Sequence, residues 1–127
     1  MKIGDAAERA DLPVKTVRYY ADIGLVAPAR RENGYRDYDD ADVRRLSFIG
    51  RSRAFGFSVE ECRRLLTLYD DPGRASADVK AIAERHLKEL DAKLAELKTL
   101  RRELSAIASE CAGDQKARCP IIDHLAG

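Results

Sequence analysis

Cys111 and Cys119, in the C-terminal stretch SECAGDQKARCPIIDHLAG, bracket a loop of seven residues. Two thiolates so close in sequence make a soft donor set, and thiolates select a soft ion such as Cu(I) over hard cations. A d10 monovalent ion is content with two thiolates, whereas zinc normally takes four N, S or O ligands in a tetrahedron. Within the loop only Asp114 offers another strong ligand side chain, and elsewhere only Cys62, His86 and His124 remain. A zinc set would therefore have to be completed across a dimer. The same pair could instead close a disulfide and serve as a redox switch. Cys62, directly after Glu60-Glu61, reads as a small structural residue, His86 as a packing or surface residue, and His124, in the last short helix, as structural.

Composition narrows what such a pair can serve. The 127 residues carry 23 Lys+Arg against 22 Asp+Glu, with 45% hydrophobic and 35% charged residues. This balance excludes an acidic tail protein and a histone-like polycation, and recurring apolar residues argue against disorder. No apolar stretch reaches the roughly 18 residues of a membrane span, and the N-terminus shows no signal peptide. The expected location is the cytoplasm, where three cysteines are not a disulfide framework. The chain has no paired acid/base constellation, no Gly-rich phosphate loop and no nucleophile beside a histidine, so it does not read as an enzyme.

The elements that must position the thiols fall into two halves. All eight aromatic residues lie within residues 1–69, together with 11 of the 16 arginines, while residues 70–127 carry no aromatic residue. Asp5–Ala10 and Val14–Ala21 are short helices separated by Asp11-Leu12-Pro13, a helix-turn-helix candidate in which Lys15 and Arg18 project together. Asn33-Gly34 is a strong hairpin signal, and the extended arms around it carry Arg30, Arg31, Tyr35, Arg36 and Tyr38, forming a wing. Helices then run from Asp39 to Ala54 and from Ser58, where Ser58 and Glu61 form a capping box, to Leu68. Asp70-Asp71-Pro72-Gly73 stops the chain before one long helix.

That helix, residues 77–109, alternates Ala83, Leu87, Leu90, Leu94, Leu97, Arg101, Leu104 and Ala108 by fours and threes, a heptad seam. No other segment is long enough to cover it, so a second copy must, and the resulting homodimer supplies two DNA-binding heads. The expected organisation is a winged helix-turn-helix domain (1–69), a hinge (70–76), a dimerisation helix (77–109) and a metal-binding loop with a short C-terminal helix (110–127). The expected fold class is all-α with a small β wing and a paired long helix.

The stretch VRYYADIGLVAPARRENGYRDY, followed by RAFGFSVEE and one long helix, resembles the MerR family of winged-helix transcription regulators over essentially the whole chain. The resemblance implies that Arg18, Tyr20, Arg36, Tyr38 and Arg53 contact promoter DNA, chiefly its backbone, with Lys15 on the groove-facing helix. The resemblance implies as well that the long helices pair as an antiparallel coiled coil. Pro13 stands where a Ser or Thr cap is usual. The C-terminal pair is similar to the copper-efflux (CueR/HmrR-like) branch, which implies Cu(I), Ag(I) or Au(I) at Cys111 and Cys119. In that branch Ser, here Ser76, stands at the start of the dimerisation helix, where divalent-metal branches place a third Cys. Lys80, one turn later, and the first turn of PIIDHL are sources of positive potential for a bis-thiolate site. The resemblance also implies an activator that stays on its promoter and distorts it so that RNA polymerase can engage; a Zn, Cd or Pb regulator and a thiol redox switch are the alternatives.

Overall fold

In the computed structural model, which describes residues 1–127, six helices and one two-stranded sheet follow in the order α1 (Ile3–Ala10), α2 (Val14–Asp22), β1 (Ala29–Arg30), β2 (Arg36–Asp37), α3 (Asp40–Ala54), α4 (Val59–Tyr69), α5 (Ser76–Glu110) and α6 (Pro120–Ala126). The chain divides into two compact units, Met1–Ile82 and Ala83–Gly127. The division falls inside α5, so the first unit takes in residues 70–76, expected as a hinge, and the opening turns of the long helix as well as the winged head.

Within the first unit, α1 turns Ala6, Ala7 and Ala10 inward, small side chains that allow α1 to lie close against α2 and α3. The core joins these alanines to Val17, Tyr20, Leu25, Val26, Tyr38, Leu46, Ile49 and Leu66. A glycine inside α3 would ordinarily weaken the helix. Gly50 is there because Leu12, in the turn after α1, fills its space: a Cβ would lie 3.1 Å from a Leu12 methyl.

Local capping sets the helix starts. Asp39 and Asp42 form a reciprocal capping box on α3, and Ser58 and Glu61 form one on α4. At α2 the cap position is Pro13, which makes no side-chain bond, while its carbonyl accepts from Thr16 and Val17 at 3.0 and 3.1 Å. The wing is an antiparallel pair, Ala29 opposite Asp37 and Arg30 opposite Arg36. Its turn needs Gly34 at φ +83°, in the left-handed region that favours glycine.

In the second unit α5 leaves Leu87, Leu94, Leu97, Leu100 and Leu104 more than half exposed. Leu100 adds an apolar position beside the expected seam, which had Arg101 at that level. Ser76 is the first residue of α5 itself, so the helix begins one residue before the expected 77. The helix has 35 residues, about 50 Å at 1.5 Å per residue. No helix is long and apolar enough to cross a membrane.

Candidate metal centre and nucleic-acid interface

α5 ends at Glu110 and the next residue is Cys111; Cys119 immediately precedes α6. The intervening loop is folded back by Gly113 at φ +67° and by Asp114, whose side chain accepts from the Lys116 N–H at 2.8 Å. This brings the Cys111 and Cys119 sulfurs to 3.6 Å, both half-buried. The separation is far beyond a disulfide bond length of about 2.05 Å, so both are thiols. Cys119 makes no capping hydrogen bond to α6, yet the Ile122 N–H, then the Cys111 thiol and the Ile121 N–H, favour its thiolate and hold its pKa below the ordinary thiol value. No third Cys, His, Asp or Glu side chain gathers with the two sulfurs within one chain.

Cys62 is buried in α4, and burial pushes its thiol up, which fits a structural residue. His86 is buried on α5 with Glu89 at 3.6 Å, and His124 lies exposed on α6. Ser76 and Lys80 are exposed at the start of α5, at the other end of that helix from Cys111.

In the winged head, Lys15 and Arg18 are exposed on α2. A cleft of about 670 Å³ lies between the N-terminus, α2 and the wing, lined by Lys2, Arg18, Arg30, Arg31, Arg36, Tyr35 and neighbouring residues. Five cations around one concavity suit a phosphate backbone. Lys2 was not among the expected site residues; it carries no motif, and only the closing of the wing onto the N-terminus places it here. That closure is made by the Met1 ammonium, which donates to Asp37 Oδ1 and to the Tyr38 carbonyl, and by the Tyr38 N–H, which donates to the Met1 carbonyl. The Met1 ammonium and then Arg31 hold the Asp37 carboxyl below the usual range.

Two of the expected DNA contacts, both tyrosines, are placed differently. Tyr20 and Tyr38 are 5% and 1% exposed, core residues that do not face solvent. Burial pushes the Tyr38 hydroxyl pKa up. Arg36 is half-buried and donates to Asp22 Oδ1 at 2.8 Å, a contact that favours its charged form. Arg53 is exposed and also closes the turn after α3 by donating to the Phe57 carbonyl at 2.7 Å.

A helix-turn-helix with a cationic wing, carried on a long helix that ends in paired thiols, defines a DNA-binding regulator with a sensor element. Residues 1–68 match the family described as MerR HTH family regulatory protein, and residues 43–107 match that described as MerR, DNA binding. The chain belongs to the MerR family. It is 55% identical to the HTH-type transcriptional regulator HmrR of Rhizobium leguminosarum bv. viciae, over 98% of this chain and 97% of that one. It is 42% identical to the regulator CueR of Salmonella typhimurium, over 100% and 93%. Among solved structures it is similar to the transcription regulator PbrR691 of Ralstonia metallidurans in complex with lead(II), with TM-score 0.83, 37% identity and 98% of each chain covered. The chain is thus a transcription regulator and not an enzyme.

Proposed function

We propose that this regulator senses Cu(I), with Ag(I) and Au(I) as chemical equivalents, through Cys111 and Cys119, and activates genes for copper efflux and tolerance. One observation carries the reading: two sulfurs 3.6 Å apart at the exit of α5, with no third soft donor in the chain beside them. Donor number, more than sulfur spacing, separates a monovalent ion from a divalent one. The lowered pKa of Cys119 favours the thiolate that a soft ion requires. The likeness to HmrR and CueR favours copper, while the likeness to PbrR691 keeps lead(II) as the second reading.

The chain acts as a homodimer on promoter DNA. The exposed leucines of α5 find cover in an antiparallel second copy. Since Ser76 and Cys111 lie at opposite ends of a helix about 50 Å long, Ser76 and Lys80 meet a cysteine pair only from that second copy. A serine hydroxyl is a poor soft-metal ligand, so Ser76 leaves the site two-coordinate, and Lys80 offsets the negative charge of a bis-thiolate. Ordering of residues 111–119 and docking of α6 bias the angle between the two heads, and the promoter is distorted for RNA polymerase with little change in affinity.

The test is metal stoichiometry and coordination number under reductant, beside operator affinity and transcription with and without Cu(I). One ion per cysteine pair with two sulfur ligands is expected. Deleting residues 120–127 should leave operator binding intact and abolish activation. A site with three or more ligands from protein, or release from DNA on metal binding, refutes this reading.

A further inference from the structure

The recognition helix α2 ends against its own dipole. Its last residue is Asp22, and its last turn holds no basic residue, although the negative end of a helix favours cations. Three arginines from other elements supply them. Arg36 of β2 donates to Asp22 Oδ1 at 2.8 Å, Arg63 of α4 to the Ile23 carbonyl at 3.0 Å, and Arg45 of α3, through Nε, to the Leu25 carbonyl at 2.7 Å. Together they form a collar around residues 22–25, just where the chain leaves α2 for the wing.

Only Arg45 also reaches the hinge. Its Nη1 donates to Asp70 Oδ1 at 2.6 Å, and Asp70 caps the C-terminus of α4, the first residue after that helix. The guanidinium is a rigid planar fork. With Nε on one partner and Nη1 on the other, the Leu25 carbonyl and the Asp70 carboxylate are held at a set separation. A shift of Asp70 must turn the fork and pull on Leu25, which is 1% exposed and therefore moves with the core around it.

We propose that Arg45 is a positioning residue that ties the hinge at Asp70 to the exit of the recognition helix, so that hinge displacement is carried into the DNA-reading head. This rests on the proposed function only in what displaces the hinge; the tie itself is a property of the chain without metal.

The first arm of the test is amide hydrogen exchange of the full-length protein without metal, read over residues 20–27. The Gly24 and Leu25 N–H groups donate to the Ala21 and Tyr20 carbonyls there. Arg45→Met, which removes a charge-assisted bond, should speed their exchange about tenfold or more. Asp70→Asn, made at the hinge, should speed it roughly two- to fivefold, and the double variant should exceed Arg45→Met by less than about twofold. Arg45→Lys keeps the charge but not the fork and should behave as Arg45→Met. Arg44→Met, at a neighbouring exposed arginine, should match the parent chain.

The second arm is transcription. Arg45→Met and Asp70→Asn should bind operator within about threefold of the parent while the activated-to-basal ratio falls at least about fivefold. Unchanged exchange at residues 20–27 in Asp70→Asn, additive effects in the double variant, or full rescue by Arg45→Lys would overturn the proposal. Failure of the parent chain to respond to Cu(I) overturns the copper reading instead, and the exchange arm still decides this one.

Discussion

Replacing both Leu94 and Leu97 by alanine should dissociate the dimer while leaving α5 helical. In the single chain these side chains are 55% and 61% exposed, so more than half of each surface waits for a partner. Truncation to alanine removes three carbons at roughly 0.8 kcal/mol each, and scaling by the exposed fraction leaves about 1.4 kcal/mol per leucine for the interface. The two positions occur twice in a dimer, so the loss is roughly 5 to 6 kcal/mol, about a 10⁴-fold weaker association. Alanine is a strong helix former, so circular dichroism at high protein concentration should change little. Sedimentation of labelled protein from nanomolar to micromolar concentration gives the dissociation constant directly. A shift smaller than about tenfold would mean that the exposed seam is not the dimer contact, and the placement of Ser76 beside a second copy's cysteines would fall with it.

Ser76→Cys should add a third soft donor and confer Zn(II) or Cd(II) binding, read by metal titration; no gain restricts Ser76 to a local role at the start of α5. Cys119, its pKa lowered, carries more thiolate near neutral pH than an ordinary thiol and should be alkylated faster than Cys62, whose pKa is raised by burial. Raising the pH should narrow that ratio only as far as burial of Cys62 allows, and equal rates at pH 7 in mass-spectrometric mapping would contradict the geometry. Ser58→Ala should cost about 1 kcal/mol in denaturant unfolding by removing the bond to the Glu61 N–H, with Cys111 and Cys119 unaffected.

What could be recognised from residues alone was local. Ser58 and Glu61 announce a helix start because both bonds of a capping box close within three residues, and the structure makes both. Asn33-Gly34 announces the wing because few residues tolerate φ > 0. The leucines of α5 announce a partner because a heptad seam depends only on helical periodicity. The cysteine pair was legible as a donor set, since eight positions of separation at a helix exit allow the sulfurs to meet. Tertiary structure alone decided which of these side chains are exposed and which are buried in the core. The family resemblance implies Tyr20 and Tyr38 as DNA contacts, yet both rings belong to the buried core of the head. Arg36 meets Asp22 across 14 residues, and Arg45 spans 20 residues to Leu25 and 25 to Asp70. Contacts of that range follow from the packing of α2, α3, α4 and the wing on one core; no local spacing of charges encodes them, because an arginine in an isolated segment finds water as good a partner as a distant carbonyl.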